Sequence, residues 1–278
     1  MGECSKAISR HCSSLISLVS LLLLAGYGVA TLPLPANAAE TLTLASSAQV
    51  YEAFRGEYLE DFQKRTGGSV NVDVVTSWAA VSLLSNGASD LAATAEGLRH
   101  RFKAEGMQEF PFCRDALVVI THIQNSVRNL TEDQVRGVFS GAVDNWKEIG
   151  GPNQPIRIIS PAKDTAAYKM FYGMVMMGAD IAYYLSSAQS TVAANVTRRF
   201  TGAVSFVNQG ALHGRTVAAN VVRIDGLGPG DPEYPYYEVF SLVTRGTPVG
   251  SVKQFVDFAF TEEGRRIFEK RGMRPISE

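Results

Sequence analysis

The chain is short of the residues that carry most covalent and redox chemistry. Its 278 residues contain three cysteines and four histidines. Cys4 and Cys12 fall within the first forty positions, so Cys113 stands alone beyond them and no internal disulfide framework is expected. Cys113 closes the run Phe110-Pro-Phe-Cys just ahead of an apolar segment, a setting for a buried structural thiol and not for a nucleophile. Charge of one sign is lacking too. A net charge of −1 leaves no electrostatic footprint for nucleic acid or for an anionic membrane surface. At 46% hydrophobic and 19% charged, the chain is too apolar for disorder, and it is too long for a disulfide-stapled miniprotein. Whatever it binds must be recognised by a local site.

Signature motifs of catalysis are missing as well. The sequence has no Gly-x-Ser-x-Gly elbow, no Gly-Lys-Ser/Thr phosphate loop and no His-Glu-x-x-His. Gly226-Leu-Gly-Pro-Gly-Asp-Pro carries a partial glycine pattern, but Pro229 and Pro232 make it a turn. His100, His122 and His213 stand far apart without ligand spacing, so neither a metal nor a cofactor is expected. No nucleophile with a neighbouring base can be assembled, which argues against an enzyme.

What is present begins with a leader. Lys6 and Arg10 precede an apolar stretch from Leu15 to Ala25, followed by small residues and prolines ending in Ala36-Asn-Ala38. Positive, apolar, then small-x-small is the order of a secretory signal peptide, here residues 1–38. An uncleaved anchor is the alternative, which Pro33 and Pro35 would interrupt. Cleavage leaves 240 residues with 24 basic against 26 acidic side chains, a periplasmic or secreted protein tied to the membrane only through its leader.

Beyond the leader, patterns alternate between the two periods. Thr41-Leu-Thr-Leu reads as a strand, and Tyr51, Phe54, Tyr58 and Phe62 predict one helix over Val50–Phe62. Val70–Val75 is a strand, Trp78–Leu84 a short helix and Leu91–Ala93 a buried strand: a β-α-β-α-β series with a largely parallel sheet. Asp115–Thr121 is a near-continuous apolar run, as in a buried central strand. Thr131 and Gln134 form a capping box ahead of Val135, Val138 and Phe139. Further strands are predicted at Ile156–Ser160, Val204–Val207, within Val217–Ile224 and at Glu238–Thr244, with helices at Asp164–Met177, Val252–Phe260 and Glu262–Lys270.

Several of these segments together resemble the phosphate-binding proteins of bacterial ABC importers. The resemblance rests on Asp115-Ala-Leu-Val-Val-Ile-Thr, on Asn125–Gly151 with its Phe139-Ser-Gly-Ala-Val-Asp-Asn-Trp146 block, and on Pro155-Ile-Arg-Ile-Ile-Ser. Thr201-Gly-Ala-Val-Ser-Phe-Val and the segments starting at Val249 and Thr261 extend it over almost the whole mature chain. It implies an α/β, two-lobed type II periplasmic-binding-protein-like fold, each lobe a mostly parallel sheet flanked by helices. Lobe one would comprise 39–116 and 232–278, and lobe two 117–231. A small anion would sit in the cleft, and an importer permease would be the partner.

The family's ligand motifs are only partly kept. Ser47-Ala-Gln49-Val stands where the family has a serine–threonine turn, so Gln49 replaces the threonine. Ser77 matches a ligand-donating serine, and Thr94 keeps a hydroxyl while the charged residue after it is lost. The family's Arg-x-x-Gly-Ser-Gly-Thr becomes Pro161-Ala-Lys163-Asp164-Thr165-Ala-Ala: the arginine is proline, the serine Thr165 and the threonine alanine. Asp164 would repel a phosphate, and Lys163 offers a cation without the bidentate geometry of arginine. Each lost charge-assisted bond is worth about 1.5–3 kcal/mol. The expected ligand set is therefore Ser47, Gln49, Ser77, Thr94, Lys163, Asp164 and Thr165, with Arg99 as a further candidate cation. Three readings follow: this substitute set binds phosphate or another small anion; a less charged ligand is lined by Gln49, Trp78 and Tyr168; or the scaffold is a ligand-free interaction or sensory module. For Ser47, Ser77 and Asp164 a plain helix-capping role stands beside the functional one.

Overall fold

One strand too long for a single lobe, sixteen residues from Met107 to His122, organises the molecule. The structure, a computed structural model, describes residues 41–187, 190–213 and 219–276. The expected leader, with Cys4 and Cys12, lies outside the described residues, as do Val217 and Ala218 of the strand expected there. In chain order the elements begin β1 (Thr41–Ser47), α1 (Ala48–Phe54), α2 (Glu57–Thr66), β2 (Ser69–Val75), α3 (Ser77–Ser85), β3 (Leu91–Thr94) and α4 (His100–Ala104). They continue with β4 (Met107–His122), β5 (Asn129–Leu130), α5 (Glu132–Ser140), β6 (Arg157–Pro161), α6 (Ala166–Met170), β7 (Leu185–Ser187), α7 (Ser190–Thr197), β8 (Ala203–Asn208) and β9 (Ala219–Ile224). They end with β10 (Tyr237–Arg245), α8 (Gly250–Phe260), α9 (Glu262–Lys270) and β11 (Arg274–Pro275).

The main strand order is β2-β1-β3-β10-β4-β8-β6-β7, with β9 and β11 also on β4. Parallel pairs form at each side, β1 with β2 and β3, and β6 with β7 and β8. The long strands β10 and β4 join the two sides by antiparallel pairing. One half of β4 meets β10 and the other meets β8 and β9, so this strand passes from one lobe to the other.

Each lobe has its own apolar core. On one side Phe54, Tyr58, Phe62, Phe112, Phe255 and Phe268 are buried together, with Phe54 ring centroids 4.9 Å from Tyr58 and 5.1 Å from Phe112. On the other, Trp146, Phe139, Phe171 and Phe206 form the centre, and Trp146 donates its indole N–H to the Gly202 carbonyl. Fully burying one such side chain contributes about 1.5–3 kcal/mol. Cys113 is fully buried in the first core, and burial together with the Asp115 charge pushes its thiol well up from the usual range. It is structural, as its sequence context suggests.

Three elements differ from the sequence pattern. The helix predicted over Val50–Phe62 is two helices, because Gly56 takes φ = +69° and turns the chain between α1 and α2. The helix predicted over Asp164–Met177 starts at Ala166 and passes into a π turn at Phe171–Val175. The strand at Asp115–Thr121 is the centre of one that begins at Met107 and includes Pro111. Pro111 has no N–H to give, and the β4–β10 register shifts by a bulge at Phe240/Ser241, where Pro111 pairs.

Candidate functional site

A cavity of about 730 Å³ is lined from both lobes, within the size range of small-molecule clefts. Lobe one contributes the start of α1, including Gln49, together with Glu52, Arg55 and the turn Val75-Thr76-Ser77. Lobe two contributes Asp164, Thr165 and Asn208. Arg271 and His213 complete the wall beside α1. Of the expected ligand set, the structure brings Gln49, Ser77, Asp164 and Thr165 to this cavity; Ser47, Thr94 and Lys163 are not on its lining.

Local hydrogen bonding decides what each hydroxyl is free to do. Ser77 Oγ accepts the Ala95 N–H at 3.2 Å, so its own O–H remains available to donate into the cleft. Thr76, not Ser77, caps α3 by accepting from Ala79 N. Thr165 Oγ1 accepts the Tyr168 N–H at 3.2 Å and donates to the Ala162 carbonyl at 2.7 Å. It caps α6, with Asp164 one residue ahead, so the cap suggested for Asp164 belongs to its neighbour. Thr94 is similarly occupied, donating to the Glu96 carbonyl and accepting the Glu96 N–H. Ser47 occupies the cap position of α1 without a side-chain cap bond, and its buried Oγ has no hydrogen-bond partner. Lys163 and Asp164 are exposed.

Trp78 is 47% exposed and borders a small separate pocket with Arg99, while Tyr168 is buried and stacks with Tyr172 at 6.1 Å. Neither aromatic lines the main cavity. Trp78 and Arg99 therefore lie beside the cleft.

Residues the sequence reading passed over form the rest of the wall. Arg55 ion-pairs with Glu52 through Nε. Arg271, 216 positions later, donates from its two terminal nitrogens to the carbonyls of Glu52 and Arg55 at the C-terminal end of α1. Burial and the neighbouring Arg271 lower the His213 pKa from its ordinary value; Arg55 acts in the same sense and Glu57 against it. No local motif announces these residues, since α1 and the turn after α9 are joined only in three dimensions.

Behind the cleft, the crossing strands hold two carboxyls. Asp115 on β4 and Glu238 on β10 are directly opposite in register and buried. Both Asp115 oxygens accept the Gly210 N–H at 3.1 Å. A Cβ at Gly210 would come within 2.9 Å of Asp115 Oδ2, so only glycine allows that approach. Glu238 Oε2 accepts from Asn208 Nδ2 at 2.6 Å, while its Oε1 has no partner. Burial raises the Asp115 pKa to about 7, opposed by backbone N–H donors, and raises Glu238 to about 8 against the single Asn208 bond. Asp115, better provided with donors, is the more readily ionised of the two, and burial favours the protonated form of Glu238. Lys169 of α6 pairs with Glu96 of lobe one at 2.6 Å.

Among the described residues no group of three or more His, Cys, Asp and Glu is placed to hold a metal ion, and no helix is long and apolar enough to cross a membrane.

Comparison with known proteins agrees with this geometry. A PBP superfamily domain matches residues 34–263. The phosphate-binding protein PstS of Bacillus subtilis is 24% identical over 225 residues, covering 78% of this chain and 72% of that protein. A Clostridium perfringens structure, described as a phosphate ABC transporter substrate-binding protein with bound phosphate, superposes with a TM-score of 0.75 at 22% identity, covering 86% of this chain and 100% of that one. An ABC-type phosphate transport receptor from Vibrio cholerae gives a TM-score of 0.65 at 21% identity, covering 84% and 99%. With the two cores, the crossing strands and the cleft between them, these matches show that the chain belongs to the PBP superfamily and has the two-lobed fold of its phosphate-binding members.

Proposed function

We propose that the chain is an exported solute-binding protein of the phosphate ABC-transporter type, which takes phosphate or another small anion between its lobes and presents it to an importer permease. The observation that carries this reading is the cavity of small-ligand size lined from both lobes. Closure of two lobes around a small ligand is a hinge motion, and β4 and β10 are the strands about which it would turn. The names of the relatives support the ligand class. Residues 1–38 serve as the export signal, 39–116 with 232–278 form lobe one, and 117–231 form lobe two. Of the expected set, Gln49, Ser77, Asp164 and Thr165 line the space between the lobes, and Ser47, Thr94 and Lys163 support it from outside the lining. The protein binds and releases; it does not catalyse.

Titration calorimetry of the mature chain with inorganic phosphate and sulfate, with small-angle scattering in parallel, tests this. Binding heat together with a smaller radius of gyration is the expected result. A folded protein that gives no heat with any oxyanion overturns the reading. That outcome would favour a sensory or interaction module on the same scaffold, a possibility supported by the internal engagement of Thr94 and Thr165.

A further inference from the structure

We propose that the anion is held at the Arg55–Arg271 corner of the cleft, at the C-terminal end of α1, and not at the helix starts; this rests on the anion-binding reading above. Three observations converge on that corner. First, the start of α6, on the lobe-two side of the cavity, is poor in free donors. Thr165 spends its hydroxyl on Ala162, Asp164 adds a negative charge there, and Lys163 stands off the lining. Second, Arg55 and Arg271 are the only arginine or lysine side chains lining the cavity among the described residues. Six residues at 1.5 Å each put Arg55 about 9 Å along α1 from Gln49, so the cationic corner is a different place from the helix start.

Third, the charges around the corner do not cancel. Glu52 pairs with Arg55, and Glu57 pairs with Lys270. Arg271 makes no ion pair among the described residues. It donates to two α1 carbonyls and is half-buried. A guanidinium has five N–H donors, so three remain for a ligand. His213 borders the same corner, where burial and the two arginines lower its pKa from the ordinary value. A half-buried arginine fixed by carbonyls, with donors to spare and no carboxylate of its own, suits an oxyanion such as phosphate or a phosphate-like group. The α1 carbonyls that hold Arg271 also orient it, so the helix end that would repel an anion by itself is covered by the cation.

The test is calorimetry of the full mature chain with inorganic phosphate, comparing wild type with Arg55→Gln, Arg271→Gln and Lys163→Met, each checked for folding by circular dichroism. The expected result is at least a tenfold loss of affinity in Arg55→Gln and Arg271→Gln, and less than threefold change in Lys163→Met. Arg271→Gln also removes two bonds to α1; should it fail to fold, Arg55→Gln decides alone. A large loss in Lys163→Met with Arg55→Gln within threefold of wild type overturns this placement while leaving the anion-binding reading intact. Absence of phosphate and sulfate binding in the folded wild type overturns both.

Discussion

The two walls of the cleft differ more than the two cores behind them. Lobe one presents a free serine hydroxyl at Ser77 and two guanidinium groups, Arg55 and Arg271. Lobe two presents a threonine whose hydrogen bonds are already made and a carboxylate, Asp164. The cores, by contrast, are alike in kind: each is a cluster of aromatic rings over a sheet, sealed from water. Packing is alike on both sides, while the free donors of the cavity wall are one-sided. The scaffold tolerates this because cap and ligand contact are separable duties of the same hydroxyl: Thr165 still starts α6 when it has no ligand to hold.

The likeness of the cores can be broken first. Phe54→Ala in lobe one and Phe206→Ala in lobe two each remove a fully buried ring in contact with several others. Each is expected to cost about 3–5 kcal/mol, read by urea unfolding. A single shared transition in both variants would mean the lobes unfold as one; a split transition in only one of them would make the lobes thermodynamically unequal.

A smaller effect separates the crossing strands from both lobes. The folded Glu238 carboxyl ionises at about 8, well above its ordinary value. Between the ordinary glutamate range and pH 8 the unfolded chain has released this proton and the folded chain has not. Stability from this group is therefore full at low pH and is lost as pH rises through that window. Glu238→Gln should flatten the fall of Tm between pH 5 and pH 9, leaving wild type the steeper profile. Parallel profiles for the two proteins would show that Glu238 is not the proton holder.

The lobe-two wall offers a finer contrast. Thr165→Ala should destabilise by about 1 kcal/mol through loss of the α6 cap while phosphate affinity, measured by calorimetry, stays within twofold. A matching loss of affinity would return Thr165 to the ligand. The smallest effect concerns the only described ion pair between α6 and lobe one. Both partners of Lys169–Glu96 are partly exposed, and Lys169→Ala should cost no more than about 0.2–1 kcal/mol, its effect vanishing in high salt. A salt-independent change in scattering radius would instead make this pair a strut that sets the width of the cleft.

Local pattern made much of the fold legible. The Thr131–Gln134 capping box is present as read, with both reciprocal bonds. Strands β3, β6 and β8 lie where short apolar runs put them. The pattern failed where backbone geometry overrode periodicity. Tyr51, Phe54, Tyr58 and Phe62 keep helical spacing across Gly56, so composition gave no sign of a turn that a left-handed φ imposes. Pro111 masked the first half of β4, since a proline within a strand argues against the strand unless a bulge, here on β4 itself beside Pro111, absorbs it. For the site, the helix-start segments could be found from sequence because a cap and its first turn are adjacent residues. Arg271 could not, because its partners are carbonyls of Glu52 and Arg55, and carbonyls carry no sequence signature.

By itself, then, the sequence determined the α/β alternation, the near-neutral charge balance and the lack of catalytic motifs, which are composition and short-range pattern and need no third dimension. Its resemblance to phosphate-binding proteins implied the rest: a binding scaffold in which Pro161 stands where the family has an arginine and Asp164 adds a negative charge. Only the tertiary structure decided which hydroxyls are spent on the protein's own backbone, that Asp115 and Glu238 share a buried crossing, and that two arginines 216 positions apart meet at one end of α1. The reason is physical. A hydrogen bond or a desolvated charge is set by what surrounds the atom, and in this fold the surroundings are supplied by chain segments from opposite ends of the sequence.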